Sequence, residues 1–323
     1  MPPIKSNTLR AYSPGKLNLT FDILGDLPGG YHEVETLMQT VDIEDELIFT
    51  FEPASEFSIE IASIEFAGSK ADVPTDQNNL ITKAANLYTK NFDGEKKYKV
   101  TVQLKKAVPV AGGMGGGSGN AAATLMVLNK WFDDRYSDPE LKRMASQLGA
   151  DVPFFIDGGT QIGVHRGDVL SKVNCKSELS YLIVGPKLFG MQTAEVYGAY
   201  DQSKNESTPR IPADKCAAEL ESGTPETIGK TLGNAFESVV FARKPELKFI
   251  VDRLSQLGGI CTRLTGSGPT LYVLTADAAE AQSIQSKLKQ EQQSGAYGWN
   301  EHSNLTLNTW IAKSTSRGVR LIN

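Results

Sequence analysis

The feature that most constrains this chain is a glycine-rich run that directly precedes a helix-forming segment. Six of the eight positions from Gly112 to Gly119 are glycine, and AAATLMVLN follows directly after Asn120. Glycine adopts positive φ and lacks a side chain that would block close approach, so successive backbone N–H groups can converge on an anion. A helix that begins at Ser118 or Asn120 would add its positive N-terminal end. The run therefore predicts a phosphate-binding loop composed of Pro109, Val110, Ala111, Gly112, Gly113, Met114, Gly115, Gly116, Gly117, Ser118 and Gly119.

Three other interpretations of this run are disfavoured. Flexible linkers do not normally lead straight into a helix. A P-loop ends in Gly-Lys-Ser/Thr, whereas Asn120 follows the last glycine and the next lysine is Lys130. A dinucleotide fingerprint can be forced onto Gly117-x-Gly119-x-x-Ala122, but the flanking sequence does not alternate between strand and helix.

Two polar residues outside the loop are candidates for chemistry. Lys16 lies at the start of a strand pattern, with Asn18 two residues later on the same face, where a lysine could neutralise phosphate charge. A solvated surface lysine is the alternative, and local spacing alone favours it. Asp151 lies between a helix stop at Gly149 and the apolar run VPFFI, where it could accept a hydroxyl proton. A turn or cap aspartate fits the local sequence equally well.

Two further turns carry candidate binding residues. Tyr31 and His32 follow a glycine turn and could stack on and hydrogen-bond a planar base, although an aromatic packed on its own hairpin is the alternative. Gly266, Ser267 and Gly268 separate two strand patterns. They form either a simple hairpin turn or a second anion-binding loop that supports the first one.

Composition and charge exclude several classes of protein. A formal net charge of -5 and a pI near 5.4 argue against nucleic-acid binding, which requires a basic face. The three cysteines are far apart and the three histidines are scattered, so neither a disulfide framework nor a zinc site is expected. No apolar stretch reaches the ~18 residues of a membrane span, and the first residues lack a signal-peptide core. The expected location is the cytoplasm.

The order of elements predicts two α+β domains within the 323 residues, at 1–175 and 176–323. The first half reads as strands with a few helices around the glycine loop. The second half reads strand, helix, strand, strand, helix, strand, which is the ferredoxin-like order with extra helices in its first crossover. TIGKTLGNAFESVVFAR is interpreted as helical, and the polar stretch at 201–215 as a surface loop or insertion.

Six segments together resemble the GHMP kinase superfamily, and in particular its branch that phosphorylates a cytidine diphosphate-linked alcohol. They are, in family order, SPGKLNL, GYHEVETL, PVAGGMGGGSGNAA, LGADVPFF, TAEVY and LTGSGPTLYVL. The resemblance implies an ATP-binding N-terminal domain packed on a ferredoxin-like C-terminal domain. It also implies Mg²⁺ as the metal that accompanies ATP.

Site roles follow from the same resemblance. Lys16 and Asp151 match the catalytic lysine and aspartate, and Pro109–Gly119 match the ATP loop. Asn18, Tyr31, His32, Thr193 and Tyr197 match positions of the substrate pocket, with Tyr31 and Tyr197 expected to sandwich the cytosine.

The chain departs from the family pattern at four positions. Gly15, Ala111 and Gly119 replace an alanine, a glycine and a serine, and these small-for-small changes are expected to preserve the backbone. Met38 replaces a common aromatic residue near the substrate.

The resemblance implies phosphoryl transfer to the 2-hydroxyl of 4-diphosphocytidyl-2-C-methyl-D-erythritol, in the non-mevalonate route to isoprenoid precursors, by a monomer or homodimer. The alternatives are a GHMP kinase for another alcohol, such as homoserine or mevalonate, and a catalytically silent nucleotide-binding module.

Overall fold

The computed structural model describes residues 7–68, 71–90, 97–176, 178–187, 191–203 and 210–322. Helices and strands are mixed throughout these ranges, as the α+β prediction required. Part of the polar stretch at 201–215, residues 204–209, lies outside the described residues. Within the described ranges, no helix combines the length and apolar character needed to cross a bilayer.

The N-terminal half begins with two long strands and then alternates helices with shorter strands. Its elements are β1 (Thr8–Leu27), β2 (Tyr31–Pro53), β3 (Ser58–Phe66), α1 (Leu80–Thr89), β4 (Tyr98–Lys106), α2 (Gly116–Trp131), α3 (Asp138–Leu148), α4 (Val152–Asp157), β5 (Thr160–Val164) and β6 (Val169–Lys172).

The C-terminal half contains more helix. Its elements are β7 (Ser180–Pro186), α5 (Thr193–Gln202), α6 (Ala213–Ser222), α7 (Pro225–Gly229), β8 (Gly233–Asn234), α8 (Glu237–Arg243), α9 (Pro245–Gln256), β9 (Cys261–Leu264), β10 (Leu271–Thr275), α10 (Ala278–Ser294), β11 (Leu307–Thr315) and β12 (Arg320–Ile322).

Strands β7, β9, β10 and β11 form an antiparallel sheet in the order β11-β7-β10-β9. Numbered along the chain, this is the order 4-1-3-2, and helix α10 connects the third strand to the fourth. The predicted ferredoxin-like arrangement of the second half is confirmed. Its inner strands are buried on both faces, since every residue of β10 is buried.

The long hairpin of β1 and β2 organises the other sheet. Strand β2 pairs with β4 and β5, and β1 also pairs with the short strands β8 and β12 from the C-terminal half. Two residues at the end of β11 pair with β2 and join the two sheets. The division at residue 175 stays a prediction, and the chain after that point contributes strands to both sheets.

Two local predictions of secondary structure are wrong. Helix α2 begins at Gly116 after an N-cap at Gly115, so Ser118 and Asn120 lie inside the helix instead of starting it. The segment TIGKTLGNAFESVVFAR is not continuously helical, because strand β8 interrupts it between α7 and α8. Strand β8 pairs with β1, and the Asn234 amide donates to the carbonyl oxygens of Leu264 and Gly266, which ties the segment to the end of β9.

Candidate active site

The glycine-rich run forms a loop between β4 and α2, and its last turn is the first turn of the helix. Gly115 caps α2 with φ 71°, a left-handed conformation that glycine adopts without strain. The first intrahelical hydrogen bond runs from the N–H of Gly119 to the carbonyl of Gly115, at 2.9 Å. The N–H groups of the preceding first turn therefore have no helical carbonyl to bind, and they form the positive end of the helix dipole.

Hydrogen bonds fix the loop from both sides. The backbone N–H of Lys16 donates to the carbonyl of Met114 at 3.0 Å, which ties β1 to the centre of the loop. At its N-terminal side, the buried Asp45 carboxylate binds the ammonium of Lys106 and accepts the N–H groups of Ala107 and Val108 at 2.8 and 2.9 Å. These hydrogen bonds tie the loop to β1 and to Asp45.

Packing, as well as phosphate approach, requires several of the loop glycines. A Cβ on Gly113 would lie 2.2 Å from the carbonyl oxygen of Thr265, and one on Gly119 would lie 2.2 Å from the Ser13 hydroxyl. Gly266 in the β9–β10 turn has φ 55° and faces the carbonyl of Gly113 at close range. The glycine loop therefore packs directly on the β9–β10 turn.

Lys16 and Asp151 come together at the C-terminal side of this loop. The Lys16 Nζ lies 3.4 Å from Oδ2 of Asp151 and also donates to Oδ1 of Asn18 at 2.5 Å. Lys16 is only 3% exposed, so the alternative of a solvated surface lysine is wrong. Asp151 precedes α4, and its side chain is 36% exposed, which leaves the carboxylate accessible from the cleft.

Asn18 connects this pair to the C-terminal half. Its backbone N–H donates to Oγ1 of Thr265 at 3.1 Å, and its amide donates to Oγ1 of Thr36 at 2.8 Å. Thr193, at the start of α5, lies 3.1 Å from the hydroxyl of Ser267 in the β9–β10 turn. Both halves of the chain therefore fix side chains of the same site.

Another part of the site is lined by an aromatic group composed of Tyr31, His32 and Tyr197. The rings of His32 and Tyr197 stack with centroids 4.6 Å apart, and His32 Nε2 is 2.8 Å from Oδ1 of Asp201. Tyr31 is 55% exposed. In this structure His32 therefore occupies one face of Tyr197, where the sequence prediction placed cytosine. Burial raises the pKa of the Tyr197 phenol, and the Asp151 carboxylate raises it further, so the hydroxyl stays protonated.

These residues line one cleft of about 890 Å³ between the two halves. Its lining includes every predicted catalytic and substrate residue together with part of the loop and the β9–β10 turn: Lys16, Asn18, Tyr31, His32, Gly113, Gly115, Ser118, Asp151, Thr193, Tyr197, Gly266 and Ser267. A second cavity of about 270 Å³ lies on the other side of the loop. Gly113, Gly115 and Ser118 border both cavities.

Sequence reasoning missed two cations at the site. Lys106 borders the smaller cavity and is buried, and the alternation of β4 could have revealed it because Val100, Val102 and Leu104 share its buried face. Arg166 lines the larger cleft, with its guanidinium 5.4 Å from the centre of the Tyr31 ring. Arg166 lies in a turn between β5 and β6, where no periodic pattern indicates the direction of a side chain.

Oxygen donors suited to Mg²⁺ are present near the phosphate loop. The hydroxyl of Ser118 and the carboxylate of Asp151 line the same cleft, and Mg²⁺ prefers a few such oxygens together with water and phosphate. The donor set therefore fits this ion. Asp26, His32 and Asp201 form another group whose ligand atoms lie within 4.8 Å of one another, and the His32–Asp201 hydrogen bond accounts for its closest pair.

Comparison with known proteins agrees with this geometry. Residues 79–159 match the family model of the GHMP kinases N terminal domain, and residues 216–294 match that of the GHMP kinases C terminal domain. A protein of Pelotomaculum thermopropionicum named 4-diphosphocytidyl-2-C-methyl-D-erythritol kinase is 36% identical over 281 residues, which cover 87% of this chain and 94% of the relative.

Solved structures show the same fold. A crystal structure of a 4-(cytidine 5'-diphospho)-2C-methyl-D-erythritol kinase has a TM-score of 0.71 at 26% identity, covering 94% of this chain and 98% of that one. A homoserine kinase from Cytophaga hutchinsonii also has a TM-score of 0.71, at 17% identity, covering 100% of this chain and 99% of its own. At that identity the second likeness shows the fold alone.

Proposed function

Because this chain belongs to the 4-diphosphocytidyl-2-C-methyl-D-erythritol kinase family of the GHMP kinases, we propose that it transfers the γ-phosphate of ATP to the 2-hydroxyl of that cytidine diphosphate-linked alcohol. Family membership confirms the resemblance that the six sequence motifs indicated. The product of the proposed reaction would be a 2-phosphate in the non-mevalonate route to isoprenoids.

One observation carries the proposal. Lys16 and Asp151 lie 3.4 Å apart in a cleft that also contains the start of α2 and the aromatic group of Tyr31, His32 and Tyr197. A phosphate site, an acid–base pair and an aromatic site in one cleft suit a reaction between a nucleoside triphosphate and a nucleoside-linked alcohol.

The donor would bind along the glycine loop. The N–H groups at the start of α2 would hold the triphosphate, and the cavity of about 270 Å³ beside the loop would take the nucleoside. Asn120 supports this assignment because it lines that cavity, and its buried Oδ1 has no hydrogen-bond partner among the described residues. A small rotation of the Asn120 side chain on nucleotide binding would give this oxygen a donor from the ligand.

Phosphoryl transfer depends mainly on positioning and electrostatics. Asp151 would accept the proton of the attacking 2-hydroxyl while the new phosphorus–oxygen bond forms and the bond to the leaving ADP breaks. The Lys16 ammonium would orient Asp151 and stabilise negative charge on the transferred group. Bound Mg²⁺ would neutralise charge on the phosphate oxygens, and the hydroxyl of Ser118 would be an oxygen donor to it, whereas Asp151 would act on the acceptor hydroxyl.

The acceptor would extend from this pair to the aromatic group. Asn18 lies beside Lys16 and can hydrogen-bond the alcohol end, whereas Tyr31 and His32 lie where the cytosine would bind. Since Tyr197 already stacks on His32, the base would pack against the exposed ring of Tyr31 or displace His32 from that stack.

Measurement of ADP release with a panel of alcohols tests the function. With ATP and Mg²⁺, we expect kcat/KM for 4-diphosphocytidyl-2-C-methyl-D-erythritol to exceed that for homoserine or mevalonate by at least about 10²-fold. A preference for either of those alcohols would overturn the substrate assignment. ATP binding without turnover of any alcohol would indicate a catalytically silent module.

A further inference from the structure

The larger cleft needs a cation for the diphosphate of the acceptor, and the Lys16–Asp151 pair does not supply one. Both phosphates of the acceptor's diphosphate are ionised at neutral pH, and this group lies between the cytosine and the reacting alcohol. Lys16 is already bound to Asp151 and Asn18 at the alcohol end. Among the residues that the structure describes, Arg166 is the one other lysine or arginine that lines this cleft.

Arg166 is held in place from two directions. Its Nη2 lies 2.5 Å from Oδ2 of Asp168, a carboxylate that is only 9% exposed. Its guanidinium lies over the ring of Tyr31, 5.4 Å from the centre, at the part of the cleft assigned to the base. A guanidinium has five N–H donors, so the bond to Asp168 leaves donors available for a second anion.

We propose that Arg166 binds the diphosphate of the acceptor and is a specificity residue for nucleoside diphosphate-linked alcohols. This inference rests on the proposed function, because it assumes the acceptor occupies the cleft with its base near Tyr31. Asp168 positions the guanidinium before the substrate arrives, and the planar fork of N–H groups matches phosphate oxygens. The cation then supplies charge complementarity that the Lys16–Asp151 pair does not provide.

Competitive inhibition by CDP and by cytidine tests the proposal without depending on turnover of an altered substrate. In the wild-type protein, CDP should inhibit more strongly than cytidine when either competes with the acceptor. In Arg166→Gln, the Ki for CDP should rise by about tenfold or more, whereas the Ki for cytidine should change by less than about twofold. In the same variant the KM for the acceptor should rise together with the Ki for CDP, and the KM for ATP should not change.

The chain offers a closely matched control in Arg320. Its Nη2 is 2.5 Å from Oε2 of Glu44, its guanidinium lies 5.1 Å from the centre of the Tyr12 ring, and its side chain is 32% exposed against 31% for Arg166. Arg320 does not line the cleft. Arg320→Gln should therefore leave both Ki values unchanged, and Arg166→Lys should recover part of the CDP affinity.

The outcomes separate this proposal from the proposed function. Wild-type protein that turns over the acceptor, together with Arg166→Gln that keeps the full CDP preference, would overturn the role of Arg166 alone. Equal losses of CDP and cytidine affinity would also overturn it, because the arginine would then act on the base. Wild-type protein with no turnover of the acceptor would instead contradict the proposed function.

Discussion

The backbone N–H of Lys16 donates a 3.0 Å hydrogen bond to the carbonyl oxygen of Met114 in the middle of the glycine loop. Lys16, whose ammonium is proposed to act in catalysis, is therefore fixed to the loop that would hold the phosphates. A shift of the loop would also displace Lys16 relative to Asp151. Changes to loop glycines should thus affect more than the affinity for ATP.

Gly116 offers a test of this coupling. A Cβ at this position would lie 2.9 Å from the Nζ of Lys106 and 3.1 Å from Cγ1 of Val108, so valine would push the loop away from its buried support. We expect Gly116→Val to raise the KM for ATP by about tenfold or more and to lower kcat. Steady-state kinetics at varied ATP would measure both.

Gly25 provides the control for that substitution, since a Cβ there has no heavy atom within 4 Å. Gly25→Val should leave the ATP kinetics unchanged. If folded Gly116→Val also kept the wild-type KM and kcat, the nucleotide would bind away from this loop.

Ala111 is where the chain departs from the glycine of its family, and its φ of 52° lies in the left-handed region. The expectation that this change preserves the backbone overlooked the strain, which costs an alanine about 1–2 kcal/mol. Glycine relieves the strain but adds entropy to the unfolded chain, so Ala111→Gly should raise the free energy of unfolding by about 0.5–1 kcal/mol. Urea denaturation would measure the difference.

Ala217 lies in the interior of helix α6, where a change to glycine should have the opposite effect. Ala217→Gly should lower the free energy of unfolding by about 1 kcal/mol. A loss of stability in Ala111→Gly similar to that in Ala217→Gly would show that the left-handed alanine carries no strain.

The fold was largely predictable because its elements carry strong local patterns. Period-two alternation identified the β1–β2 hairpin and β4, and Ser137 and Gly149 correctly marked the ends of α3. Strand β8 was missed because a two-residue strand has no periodicity, and it is fixed by pairing with the distant β1 and by a side-chain contact with β9. The start of α2 was misplaced because Gly115 caps it by conformation, without the polar side chain that marks most helix starts.

The residues of the site also divide into those that the sequence indicated and those that only the structure revealed. The glycine pattern predicted the loop and the family resemblance singled out Lys16 and Asp151, whereas the burial of Lys16 in the tertiary structure contradicts its local sequence signal. Arg166 and Asp201 come from a turn and a helix end that are distant in sequence from Tyr31 and His32. Their contacts follow from tertiary structure, so no local pattern predicts them.

Asp168 allows a prediction about pH. Burial alone would raise the pKa of this carboxyl, but the hydrogen bond and charge of Arg166 outweigh it and hold the pKa below its ordinary value of 3.8. A carboxyl with a lowered pKa stabilises the folded state above its unfolded pKa and loses that contribution as pH falls through the folded pKa. Asp168→Asn should therefore reduce the free energy of unfolding by about 1.5–3 kcal/mol near neutral pH.

The difference between wild type and Asp168→Asn should stay constant from neutral pH down to about pH 5 and shrink below about pH 3.8. Urea titrations across this range would measure it. Asp252→Asn is the control, because the ion pair of Asp252 with Lys248 is half exposed and contributes little to the free energy of unfolding. A difference that is independent of pH throughout would contradict the assigned ion pair.

The final prediction separates chemistry from binding at Asp151. Asp151→Asn keeps the size of the side chain but removes the proton acceptor, so kcat should fall by roughly 10²–10⁴ while the KM values for ATP and the acceptor change little. Asp157→Asn is a suitable control, since Asp157 also pairs with a lysine, Lys142 at 2.7 Å, but lies outside the cleft. Its kcat should remain near that of wild type.

Lys16→Met should also lower kcat, because the ammonium lies 3.4 Å from the Asp151 carboxylate and orients it. If the two residues act as one unit, the double variant should be little slower than the slower single variant, whereas independent roles would make the two losses multiply. Pre-steady-state measurement of the phosphoryl-transfer step would exclude product release as the limiting event. Near-normal kcat in folded Asp151→Asn would mean that Asp151 is a structural turn residue. The base would then be another group, or none would be needed, as a largely dissociative transition state allows.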